Sequence, residues 1–128
     1  MKRIGIYLYN QVEVLDFAGP FEVFTTASRL KKRLSPGGST AFEVVLIAFK
    51  TGMISARGGL SVNVPYGISD HPPLDLWIIP GGVVTAELKN KFLIHWFQDQ
   101  VESVDLLCSV CTGAFLLAEA GLLDGKRA

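Results

Sequence analysis

The chain has 128 residues, with 12 basic and 12 acidic side chains and a formal net charge of zero. Hydrophobic residues make up 49% and charged residues 19%, which excludes intrinsic disorder and leaves no basic excess to neutralise nucleic-acid phosphates. The length fits a single domain, residues 1–128, and no apolar run reaches the roughly 18 residues of a membrane span.

The N-terminus, Met1-Lys2-Arg3, is basic, but the apolar stretch after it is too short for a secretory signal and no small-residue cleavage site follows. The expected compartment is therefore the cytosol. Residues 3–9 instead read as a first strand, almost continuously apolar. Residues 42–49, 74–79 and 104–110 repeat that pattern, and such runs indicate strands covered on both faces, as in parallel sheets. The mean hydropathy of +0.36 agrees with this and also allows for apolar surface covered by a partner.

Helical spacing lies between the strands. Phe21 to Leu34 ends in the basic run Arg29-Lys31-Lys32-Arg33, which suits a helix C-terminus. Thr85 to Val101 carries Leu88, Phe92, Trp96 and Val101 on one expected core face. Thr112 to Leu122 reads as a third helix, stopped by Gly121 or by Asp124-Gly125. Residues 53–66 read as a β-hairpin around Gly58-Gly59. Linkers are expected at 35–39 and 70–73. This order predicts an α/β sandwich whose strands are joined by right-handed crossovers into a parallel sheet.

Cys108 and Cys111 stand in C-x-x-C spacing, which reads as redox or zinc. No second Cys or His cluster completes four zinc ligands, so no metal site is expected. The context of Cys111 points elsewhere. It stands where a buried strand meets a helix, with Ser109 two residues before it and Gly113 two after. That is a nucleophile elbow in which Ser replaces the first Gly. A sharp turn there presents the side chain at the carboxyl end of the sheet, and a helix N-terminus favours an anion at that point. The thiolate is the nucleophilic form of cysteine. Cys108, inside the strand, reads as a core thiol.

Two further segments reach the same edge. Ile79-Pro80-Gly81-Gly82 ends a strand in glycines, whose amides, with that of Thr112, would form an oxyanion hole. Leu15-Asp16-Phe17-Ala18-Gly19-Pro20-Phe21-Glu22 follows the first strand. Asp16 and Glu22 stand there among apolar residues, where a carboxyl group can donate or shuttle a proton. The structural alternative is that Asp16 caps the coming helix, with Pro20 in its first turn. His71, before Pro72-Pro73, reads as a surface-loop residue and His95 as a helix-flank residue, so no Cys-His dyad can be built from this sequence.

Taken together, these segments, with Gly58-Gly59-Leu60 and the stretch Ala120 to Ala128, resemble the ThiJ/PfpI family of the class I glutamine-amidotransferase-like superfamily. The pattern looks most like bacterial isocyanide hydratases and the N-terminal domains of AraC-type regulators. The resemblance implies a flavodoxin-like three-layer sandwich, a homodimer, a small-molecule substrate, and no organic or metal cofactor. It implies Cys111 as nucleophile and Asp16 as its acidic partner, with Gly81, Gly82, Thr112 and Gly19 around the substrate. It also implies further strands and helices beyond Arg127-Ala128, so the sandwich is expected to be C-terminally truncated here, without any histidine from that part. The function implied is a hydro-lyase that converts an isocyanide to an N-substituted formamide. The alternatives are a ligand-sensing regulator domain, a glyoxalase- or amidase-like enzyme, and a redox sensor.

Overall fold

The computed structural model describes residues 1–127. Strand β1 spans Lys2–Leu8, and its last five side chains are buried. Helix α1, Val14–Leu34, follows. Then come β2 (Phe42–Ala48), β3 (Gly52–Ser55), a one-turn 3₁₀ helix (Arg57–Gly59), β4 (Ser61–Val64) and β5 (Tyr66–Gly67). The chain continues through β6 (Leu76–Ile79), α2 (Thr85–Lys89), α3 (Lys91–Gln100), β7 (Leu106–Ser109) and α4 (Gly113–Glu119).

Five strands form a wholly parallel sheet in the order β5-β2-β1-β6-β7. Side-chain alternation along β1 assigns the helices to its two faces. Phe42, opposite Lys2 in the register, packs on Phe24 of α1, while Tyr7 packs edge-on against Phe97 of α3. Helix α4 packs on β6 and β7. The result is the α/β sandwich that the order of elements predicts, in the three-layer, flavodoxin-like form that the resemblance implies. Its core is built on Ile4, Ile6, Tyr7, Leu8, Ile47, Trp77 and Ile79.

Four local readings of the sequence need correction. Helix α1 begins seven residues earlier than Phe21, and Pro20 lies inside it. Pro20 lacks the N–H that would bond the Asp16 carbonyl, yet the helix runs on because both flanking segments pack onto the sheet. Glu13, not Asp16, is the residue before the first turn, which removes the capping role considered for Asp16.

The expected helix 85–101 is two helices, broken at Asn90. The Asn90 side chain accepts a hydrogen bond from the Leu93 amide (3.1 Å) and restarts the helix as its N-cap. The restart shifts the buried face to Leu93, Ile94 and Phe97. Phe92, expected in the core, is 68% exposed. Finally, the hairpin reading of 53–66 holds for β3 and β4, which pair antiparallel, but Tyr66–Gly67 turns away as an edge strand beside β2.

The end of α4 is legible in detail. Gly121 has φ +74°, its amide bonds the Ala118 carbonyl (2.9 Å), and the Leu122 amide bonds Leu117 (3.0 Å). That is a Schellman stop at the first of the two glycines named for it.

Candidate active site

The strand order reverses at β1. The chain steps outward to β2 and β5 on one side and returns to β6 and β7 on the other. The crevice beyond the carboxyl ends of β1 and β6 is thus the topological switch point, where ligands bind in open α/β sheets. Three connections meet there: β1 to α1, β6 to α2, and β7 to α4.

Cys111 stands between β7 and α4 with φ +53°, one of two non-glycine residues in the described chain with positive φ, and its side chain is exposed. A left-handed backbone at a non-glycine residue costs on the order of 1–3 kcal/mol and persists only where the surroundings impose it. Those surroundings are visible. The Val110 amide bonds the Ile79 carbonyl (3.0 Å), extending the β6–β7 pairing right up to the turn. Gly113 then passes so close to Ile79 and Pro80 that a β-carbon on it would overlap the Ile79 carbonyl oxygen. The glycine expected two residues after Cys111 is therefore required by contact. Ser109, two residues before it, lies within β7 opposite Ile79.

Thr112 ties the elbow to the Pro-Gly-Gly turn. Its Oγ1 accepts from the Gly82 amide (3.0 Å) and donates to the Gly82 carbonyl (3.1 Å). The Gly82 N–H, expected in an oxyanion hole, is thus engaged by the threonine hydroxyl. Gly81 is buried, and the space beside its α-carbon is the meeting point of the site. A β-carbon built there would stand 2.8 Å from both the amide nitrogen and Oγ1 of Thr112, and 2.9 Å from Asp16 Oδ2.

Asp16 projects from the first turn of α1. Its Oδ2 is buried and has no hydrogen-bond partner among the described residues, so that oxygen makes no bond to the Cys111 sulfur. A buried acceptor left unpaired costs about 1–3 kcal/mol. Glu22 lies farther along α1, exposed, bonded by Thr26 (3.0 Å) and Arg29 (2.9 Å). Those bonds hold its carboxyl below the usual range, and nothing connects it to the crevice. Gly19 sits on α1 facing open space.

Sequence reasoning passed over Tyr9. Its hydroxyl, almost wholly buried, donates to the Pro80 carbonyl (2.8 Å) and so fixes the strand that leads into Gly81. Burial, reinforced by the nearby Glu87, Asp16 and Cys111, pushes the Tyr9 hydroxyl well above its ordinary value, so it remains a donor. The available signal was a polar-tipped aromatic at the very end of a buried strand.

Cys108, in β7, is partly buried, and burial raises its thiol above the ordinary value. His71 packs edge-on against Trp77 and Trp96, a more buried place than a surface loop implies, and His95 is exposed 4.0 Å from Asp99. Among the described residues no group of three His, Cys, Asp or Glu side chains is arranged to hold a metal, and no described helix is long and apolar enough to cross a membrane.

Fold and elbow together define a class: parallel α/β sandwiches with a cysteine on a strand-to-helix turn at the carboxyl edge of the sheet. The DJ-1/PfpI family pattern matches residues 2–128, and the chain belongs to that family. It is 29% identical to an isonitrile hydratase of Pseudomonas putida over 98% of this chain and 50% of that protein. It is 27% identical to the HTH-type transcriptional regulator GbdR of Pseudomonas aeruginosa, over 97% of this chain and 32% of the regulator. The crystal structure of an AraC family transcriptional regulator from Pseudomonas putida superposes with a TM-score of 0.81 at 22% identity, over 98% of this chain and 64% of that one. The chain thus spans about half the length of the hydratase and a third of GbdR.

Proposed function

We propose that this chain carries the reactive half of a cysteine-dependent small-molecule enzyme, acting as a hydro-lyase on an isocyanide. The observation that supports this is the crevice itself. An exposed cysteine held at positive φ shares the switch point with a buried carboxylate oxygen that has no partner among the described residues.

In the proposed reaction the Cys111 thiolate attacks the terminal isocyanide carbon and forms a C–S bond. Asp16 delivers a proton to that carbon, giving a thioimidate. Water then adds to the same carbon, with Asp16 taking its proton. Asp16 passes that proton to nitrogen and then takes the hydroxyl proton as the C–S bond breaks, which returns the thiolate, re-forms the carboxylic acid and releases an N-substituted formamide. The chain supplies nucleophile, acid-base group and a close-packed glycine wall; no cofactor enters the scheme. Gly81, Gly82 and Thr112 shape the substrate side, and Gly19 lies at its margin. We further propose a cytosolic homodimer.

The test is formamide release from small alkyl and aryl isocyanides. Cys111→Ala is expected to cut the rate by about 10³-fold or more, and Asp16→Asn by roughly 10²–10⁴-fold. Rates unchanged in either variant would overturn the reading.

The second reading is a ligand-sensing domain of an AraC-type regulator. It is favoured by the resemblance of nearly the whole chain to GbdR and to the AraC-type structure. A gene that continues into a helix-turn-helix pair, with Cys111→Ala leaving the regulatory response intact, would support it over the enzyme.

A further inference from the structure

A second cleft, of about 250 Å³, opens over the carboxyl ends of β1 and β2. Tyr7, Tyr9, Asn10, Phe49, Lys50 and Glu87 line it, and neither Cys111 nor Asp16 does. Glu87, in the first turn of α2, accepts a hydrogen bond from the Tyr7 hydroxyl (2.8 Å). Tyr7 and Tyr9 stack beside it with ring centroids 5.8 Å apart, and both are buried.

A carboxylate taken out of water costs several kcal/mol unless a cation or sufficient donors face it. Here one phenol does, and among the described residues no Lys, Arg or His forms an ion pair with Glu87. Phe49 is part-exposed in this cleft, and an aromatic face near a carboxylate is a setting in which an ammonium group is held. Lys50 lines the same cleft, is exposed, and likewise forms no ion pair among the described residues. One cleft therefore carries a half-buried acid, one accessible aromatic ring and an ammonium near solvent. Its volume lies below the roughly 300–1,000 Å³ of drug-sized pockets, so the occupant is small.

We propose that this cleft binds a short amino acid, its ammonium on Glu87 beside Phe49 and its carboxylate toward Lys50. Neither Cys111 nor Asp16 lines the cleft, and the binding does not depend on the chemistry proposed for them.

Calorimetric titration of the protein with glycine, β-alanine and γ-aminobutyrate tests this, with propylammonium and propionate as one-ended controls. At least one amino acid is expected to saturate, more tightly than propylammonium, with propionate weakest. Glu87→Gln, which keeps an acceptor for Tyr7, is expected to weaken that binding at least tenfold. Lys50→Met, an exposed change, is expected to erase the advantage over propylammonium, and Cys111→Ala to leave binding intact. Should Glu87→Gln fail to fold, the Lys50→Met comparison decides alone. Absence of saturation by all three amino acids, unaltered binding in Glu87→Gln, a preserved advantage in Lys50→Met, or tightest binding of propionate would each overturn the proposal.

Discussion

At the scale of single residues, the two cysteines differ in environment although they stand three apart. Cys111 is exposed at the turn, while Cys108 is partly shielded in β7 with its thiol raised by burial. Brief treatment with iodoacetamide at neutral pH should therefore label Cys111 severalfold faster, read by peptide mass spectrometry; equal labelling would show that the elbow confers no special access.

Asp16 carries a different signature. Its Oδ2 is buried without a partner among the described residues, so Asp16→Asn should leave thermal stability unchanged or raised while activity falls. Loss of both together would mark a structural role instead.

Glu87 yields a pH prediction. Burial holds its carboxyl above the ordinary 4.5, and the Tyr7 bond only partly offsets this. The unfolded chain releases that proton near the ordinary value, whereas the folded chain keeps it to higher pH. Its contribution to stability therefore falls as pH rises through that window. Glu87→Gln removes the effect, so melting temperatures should favour the variant at pH 7 and converge with the parent near pH 4.

At the scale of elements, the elbow depends on β6 and β7 lying close enough for Gly113 to graze Ile79 and Pro80. Gly113→Ala is expected to destabilise the fold by about 1–3 kcal/mol, measured by urea unfolding, because the new methyl meets backbone and not a yielding side chain. The three inner strands and the edge strand β7 were readable because each is a short apolar run between turn residues. The tight turn at Cys111 was readable for a related reason: a cysteine between small residues at a strand-helix joint is a local pattern with a steric cause.

What escaped reading is tertiary in origin. Pro20 marks a helix start by local rule, yet α1 extends through it because Phe17 and the residues after Pro20 both bury against the sheet. The break at Asn90 was hidden by an apolar spacing that suits one long helix. A capping side chain changed its phase, and Phe92 went to the surface. Tyr9 and Glu87 are separated by many residues and only the fold brings them to one edge, so no spacing in the sequence announces them.

At the scale of the whole molecule, the outer side of α1 is unusual. Leu15, Val23, Leu30 and Leu34 are each more than half exposed, and their positions fall within about a 100° arc of the helix. The proposed homodimer would cover such a stripe. Sedimentation or light scattering should give twice the monomer mass, and Val23→Lys with Leu30→Lys should return it to one; a monomeric parent would end that proposal.

Gln11, the other non-glycine residue with positive φ, has a broader consequence. Its amide donates to Ser55 in the β3–β4 hairpin (2.8 Å), and its carbonyl receives the Val83 amide (3.1 Å) just beyond the glycine turn. Next to it, Glu13 bonds Gly81 (2.8 Å), and Arg57 bonds Val12 (2.9 Å). Three excursions of the chain are thereby stapled into a single plate. Amide exchange across the plate should slow or quicken in concert, and an occupant pressing on the hairpin side would be felt by the carboxylate on the other.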